Sequence, residues 1–95
     1  QVNHQSVYLI AALRYSIVER GMLMDAKKTG NLIAKKRKER NLSQRELAEC
    51  LHITDKAISK WERGLSFPDI TILIPLSEAL NVSLYDLLTG GRSDE

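Results

Sequence analysis

Two helix starts set close together constrain this chain more than any other feature. Ser43-Gln44-Arg45-Glu46 is a capping box, in which Ser43 caps a new helix and Glu46 reaches back three residues to it. That helix buries Leu47, Ala48 and Leu51. Thr54 then caps another helix, which runs to Gly64, a residue type suited to the left-handed position after a helix end. The two helices are joined by a tight turn at His52-Ile53.

The flanking sequence is helical as well. From Lys27 a helix carries Leu32 and Ile33 on one side and Lys35, Lys36, Arg37, Lys38 and Arg40 around its later turns, with Asn41 ending it. Phe67-Pro68-Asp69 starts a fourth segment, with Ile70, Leu73, Leu76, Ala79 and Leu80 at helical spacing. Pro75 inside it implies a kink or a late start. Ser83, with Asp86 three residues on, caps a short fifth helix over Leu84–Leu88 that Gly90 closes. No strand is demanded anywhere. The expected fold is all-α: a compact five-helix domain over residues 24–92, an apolar extension over 1–23 and a tail over 93–95.

The extension is the least ordinary part. Val7–Val18 is strongly apolar, long enough for a buried helix or the core of a signal peptide, but the residues before it hold no Lys or Arg, which argues against a leader. Gly21-Met22-Leu23-Met24 breaks the pattern, and Met24 makes a natural start for the rest. Residues 1–23 therefore read as an added helix or as sequence from an upstream frame. A stretch so apolar needs a partner. Its own domain is one candidate, and the same segment of a second chain is the other.

Charge is distributed unevenly. Lys27 to Arg63 holds eleven Lys or Arg against five Asp or Glu, a net +6, whereas Gly64 to Glu95 carries −4. A basic half beside an acidic half suits a face that meets a polyanion, although a solvated helix surface gives the same numbers. At 43% hydrophobic residues the chain can build one modest core, and no run reaches the ~18 apolar residues of a membrane span. One cysteine, Cys50, excludes an internal disulfide framework and fits a reducing cytosol.

The helix after Thr54 has two faces. At about 100° per residue, Asp55, Lys56, Ser59, Lys60 and Arg63 fall within roughly 140° of one another, and Ala57, Ile58 and Trp61 lie on the other side. Glu62 sits at the margin. A stripe of residues that can all hydrogen-bond is what major-groove readout uses: Lys donates to guanine O6 and N7, Ser bonds several base edges, and Asp accepts from cytosine N4. A solvated amphipathic helix shows the same pattern.

Taken as a unit, Gln44-Arg45-Glu46-Leu47-Ala48, Leu51, Ile53-Thr54 and Ala57-Ile58-Ser59-Lys60-Trp61-Glu62-Arg63-Gly64 resemble the Cro/repressor class of helix-turn-helix proteins, the XRE family. The resemblance continues through Phe67-Pro68-Asp69, Leu76, Leu80, Val82-Ser83-Leu84 and Leu87-Leu88, and covers about Met24 to Gly90. It implies a lambda-repressor-like fold and a sequence-specific transcriptional regulator of double-stranded DNA, a repressor with no chemistry of its own. Base contacts would fall on Thr54, Asp55, Lys56, Ser59 and Lys60, with Arg63 on the same stripe. Gln44 would contact a phosphate from a helix N-terminus and brace the reading helix. Arg37 and Glu62 would form a structural ion pair. His52 stands where the motif usually has Gly, so a positive φ is expected there. Asp55 places an acid at the start of the reading helix, where it also suits helix capping.

The resemblance further implies a homodimer on a two-fold operator in a bacterial or phage-encoded cytoplasmic protein. Residues 1–23 lie outside the resemblance; their apolar run suggests either a helix over residues 7–20 that packs against another chain and sets half-site spacing, or upstream sequence folded on the domain. An antitoxin or interaction adaptor on the same fold is the alternative, and a membrane-surface protein using Val7–Val18 is disfavoured because that segment lacks a basic face. An enzyme is the least supported. Cys50 and His52 do not share a helical face and no second pair completes a metal site, no serine has a readable His–Asp partner, and there is no glycine-rich phosphate loop. No cofactor or small-molecule ligand is implied.

Overall fold

The computed structural model describes residues 25–91, and these form five helices. They are α1 (Ala26–Glu39), α2 (Gln44–Leu51), α3 (Asp55–Glu62), α4 (Ile70–Leu80) and α5 (Leu84–Thr89). No strand occurs among the described residues. The extension over 1–23 and the tail over 93–95 lie outside them.

Each helix begins on a side-chain cap. Asp25 Oδ1 accepts from the backbone N–H of Lys27 at 2.9 Å and of Lys28 at 3.2 Å, and so starts α1. The capping box of α2 is closed both ways: Ser43 N–H donates to Glu46 Oε1 at 2.8 Å, and Glu46 N–H donates to Ser43 Oγ at 2.9 Å. Thr54 caps α3, Asp69 caps α4 and Ser83 caps α5. Such a cap satisfies a backbone donor that the helix cannot, typically a stabilisation of about 1 kcal/mol.

The ends are set by left-handed residues. Asn41, His52 and Asn81 have φ of 59°, 57° and 56°, and Gly64 and Gly90 follow α3 and α5 at 76° and 81°. α3 stops at Glu62, one residue short of the Asp55–Arg63 helix expected from sequence, because Arg63 already serves as its C-cap ahead of Gly64. α4 begins at Ile70 and runs through Pro75 instead of starting after it. The N–H that proline lacks would have bonded Thr71 early in the helix, on an exposed turn where water can take the carbonyl.

One core joins all five helices: Ile33 of α1, Leu47, Ala48 and Leu51 of α2, Ile58 and Trp61 of α3, Leu73, Leu76 and Leu80 of α4, and Leu87 of α5. Ile70 does not join it. It is 77% exposed, because it is the first residue of α4 and stands at the margin of the apolar stripe that runs through Leu73, Leu76 and Leu80. α1 packs between α3 and α5, and its approach to α3 is very close. A Cβ added at Gly30 would lie within 2.0 Å of the Trp61 carbonyl oxygen, so only glycine allows this crossing. Thr29, beside it, is buried and donates its hydroxyl to the Leu87 carbonyl at 2.7 Å, which ties α1 to α5.

Candidate nucleic-acid interface

The surface to explain is the outward side of α3. Ile58 and Trp61 are buried, which fixes how the helix is rotated. Asp55, Lys56 and Lys60 are then exposed and Ser59 is half-buried, all on the side turned from the core. Thr54 is exposed at the head of the helix, and its hydroxyl accepts from Ala57 N–H at 3.3 Å. Arg63 lies just beyond the helix end, and its guanidinium folds back one turn to donate from Nε to Ser59 Oγ at 3.2 Å and to the Ser59 carbonyl at 3.3 Å. Asp55 stands in the first turn, where a carboxylate favours the helix dipole.

What holds this helix in place is a polar cluster at its far end. Arg37 Nε donates to Glu62 Oε2 at 2.6 Å, and Arg37 Nη2 donates to Glu62 Oε1 at 3.0 Å. The pair is therefore bidentate, with side chains only 10% and 8% exposed. Arg37 Nη1 donates a further bond to the Leu42 carbonyl at 2.8 Å, in the loop between α1 and α2. Gln44 Nε2 donates to Glu62 Oε1 at 2.9 Å. One carboxylate thus joins α1, α2 and α3. Its hydrogen bonds and charge raise the Arg37 guanidinium further above its ordinary pKa, against the opposing effect of burial. Among the described residues no buried side-chain nitrogen or oxygen lacks a partner.

The sequence-derived site residues accordingly fall into three places. Lys56, Ser59 and Lys60 share the outward face of α3. Thr54 and Asp55 stand at its head. Gln44 and Arg63 approach from the other end, Gln44 through Glu62 and Arg63 through Ser59. Among the basic residues of α1, Lys36 pairs with Glu39 at 3.5 Å on the surface, while Lys35 and Lys38 are exposed. Reading the sequence missed the Leu42 carbonyl, Thr29 and Gly30. A lone glycine inside a helical pattern signals close backbone approach, so Gly30 was within reach of that reading. The described residues contain no group of three or more His, Cys, Asp or Glu placed to hold a metal ion, and no helix long and apolar enough to cross a membrane.

Two short helices at a fixed angle, with the second turned outward, form the arrangement for which helix-turn-helix proteins are named. A family model described as helix-turn-helix matches residues 33–87, more than half of the chain. The chain belongs to the XRE-type helix-turn-helix family. Relatives in this family include the HTH-type transcriptional activator BcrR of Enterococcus faecalis, 41% identical over 51 residues, or 54% of this chain and 25% of that protein. The transcriptional regulator YqaE of Bacillus subtilis is 41% identical over 63 residues, 66% of this chain and 53% of that one. The chain thus spans a quarter of the first and about half of the second. Among solved structures, the P22 c2 repressor, in complex with a synthetic operator, matches with a TM-score of 0.63 and 35% identity, over 65% of this chain and 94% of that one. The clp gene regulator ClgR of Corynebacterium glutamicum matches with a TM-score of 0.61 and 26% identity, covering 68% of this chain and 69% of the other.

Proposed function

We propose that this chain is a sequence-specific repressor of transcription that lays α3 in the major groove of duplex DNA. The observation that carries the reading is the outward face of α3. It presents Lys56, Ser59 and Lys60 away from the core, and the helix beneath is fixed to α1 and α2 through Glu62. A groove about 12 Å wide admits one helix, and these side chains match base-edge donors and acceptors. Thr54 and Asp55 read at the head of the helix. Gln44 and Arg63 hold the phosphates on either side, which positions the protein without specifying sequence. Lys27 to Arg63, with its net +6, supplies the salt-dependent share of affinity.

The mechanism is occlusion of a promoter at an operator, with no covalent step. Its repressor character is supported by the likeness to the P22 c2 repressor, of whose solved chain it covers 94% at 35% identity. The domain occupies residues 24–92. Two copies sit on a two-fold operator in the cytoplasm of a bacterium, and the named relatives come from Enterococcus and Bacillus. Selection of bound duplexes from a random pool tests the reading. The expected outcome is one enriched motif arranged as an inverted repeat, with affinity that falls steeply as salt rises. A pool that stays random, or binding indifferent to salt, refutes it.

A further inference from the structure

The outward face of α3 is nearly uniform in the sense of its hydrogen bonding. Lys56 and Lys60 are exposed one turn apart, and among the described residues neither side chain makes a hydrogen bond or an ion pair. A lysine ammonium donates three hydrogens and accepts none. Like charges four residues apart weaken an isolated helix, so the pair does not serve the stability of α3.

Ser59, between them, can act in either sense, and its surroundings decide which. The hydroxyl of Ser77 donates to the Ile74 carbonyl at 2.7 Å, and that of Thr89 donates to the Tyr85 carbonyl at 2.9 Å. Each spends its hydrogen on the preceding turn of its own helix. Ser59 makes no such bond. Its Oγ accepts from Arg63 Nε at 3.2 Å. A cation on the lone-pair side turns the hydroxyl hydrogen away from it, and that hydrogen has no acceptor among the described residues. Only Nε of Arg63 is engaged, so its two Nη groups stay available for a phosphate.

The face therefore offers three donors in Lys56, Ser59 and Lys60. Its acceptor stands apart, at the head of the helix: the Asp55 carboxylate is exposed and has no hydrogen bond or ion pair among the described residues. α3 contains no Asn or Gln, the side chains that match the paired acceptor and donor of adenine. In the major groove guanine alone presents two acceptors, N7 and O6, whereas cytosine presents a donor.

We infer that the operator half-site is rich in guanine under α3, with guanines opposite Lys56 and Lys60, a base-edge acceptor opposite Ser59 and a cytosine opposite Asp55. Arg63 is a positioning residue that keeps Ser59 in the donor sense. Lys56 and Lys60 stand about 6 Å apart along the helix, close to two base-pair steps, so both guanines fall within one half-site. The inference rests on the reading of α3 as a major-groove helix and narrows it to a class of sequence.

Selection from a random duplex pool, run on the parent, on Lys60→Gln and on Arg63→Ala, tests it, with circular dichroism to verify the helices of both variants. The parent should enrich half-sites that carry two guanines. Replacing either guanine by an analogue with carbon in place of N7 should weaken binding about tenfold. Lys60→Gln should exchange guanine for adenine at one position and leave the others, since Gln matches adenine N6 and N7. Arg63→Ala should relax the preference at the base pair opposite Ser59, which loss of a phosphate contact alone does not do. Half-sites of A·T pairs alone, guanines indifferent to the loss of N7, or a Lys60→Gln protein that still selects guanine throughout overturn the inference and leave α3 as the reading helix. An Arg63→Ala protein that weakens evenly on all duplexes overturns the role given to Arg63. A pool that stays random overturns the major-groove reading itself, and the inference with it.

Discussion

Replacing Gly30 by Ala sets two effects of opposite sign against each other. Gly30 lies inside α1, where alanine favours the helix by about 1 kcal/mol. The new methyl group, however, would come within 2.0 Å of the Trp61 carbonyl oxygen, and ordinary contact begins near 3.4 Å. The obstacle is backbone, so it cannot rotate away as a side chain would. α1 and α3 must separate by about 1.4 Å, the difference between those two distances, and Ile33, Ile58 and Trp61 all lose contact across the seam. Overpacking of this kind costs about 1–3 kcal/mol, and a rigid obstacle belongs at the upper end. The net expectation is a loss near 2 kcal/mol, a fall in Tm of roughly 10 °C for a domain of this size. Thermal and urea unfolding followed by circular dichroism measure it. A Gly30→Ala protein as stable as the parent would mean that the crossing has slack, and the argument for close contact would fail.

Four further outcomes are expected. Lys60→Ala weakens binding to the selected operator by about 1–3 kcal/mol and relaxes preference at one base pair, so equal weakening on all duplexes would make Lys60 a phosphate contact. Glu62→Ala destabilises the domain by about 3 kcal/mol, because it strands the Arg37 guanidinium in a nearly closed site, and an unchanged urea midpoint would deny the cluster its structural role. His52→Gly removes left-handed strain of about 1–2 kcal/mol and adds back up to about 1 kcal/mol of chain entropy, so stability holds or rises, and a clear loss in thermal melts would contradict that balance. Asp69 is held below the ordinary aspartate pKa, chiefly by the Thr71 hydroxyl and then by the Thr71 N–H. Its contribution is therefore complete above the ordinary value and is lost as pH falls through the lowered one; Asp69→Asn should be the less stable protein at neutral pH and match the parent in acid, and a stability gap that persists in acid would refute the link.

Local chemistry explains what could be read from sequence. Caps are short-range devices, so Ser43 with Glu46, Thr54, and Ser83 with Asp86 announced three helices at their true starts. The same is true of left-handed ends: His52, in a turn where glycine is usual, has the positive φ expected of it. The angular separation of Ile58 and Trp61 from Lys56, Ser59 and Lys60 also followed from helical period alone. Long-range pairing was harder. The bond from Arg37 to the Leu42 carbonyl and that from Thr29 to the Leu87 carbonyl involve backbone acceptors, which carry no residue signature. Ile70 looked like core because its spacing to Leu73 is helical, but a period cannot say where an apolar stripe begins. Pro75 left a kink or a late start open, because sequence does not reveal that the carbonyl it leaves unbonded lies on an exposed turn.

The placement of Glu62 has a consequence for how such a protein changes over generations. The residues that fix the pose of α3 are Arg37, Gln44, Ile58, Trp61 and Glu62, and those that face outward along it are Lys56, Ser59 and Lys60. On α3 itself, Ile58, Trp61 and Glu62 interleave with Lys56, Ser59 and Lys60 and the two sets share no member, while Arg37 and Gln44 act from α1 and α2. A duplicated copy can therefore exchange its outward side chains while every bond that sets the angle of the helix persists. Under the proposed reading, a new target is then open to single substitutions on α3 that leave those bonds in place.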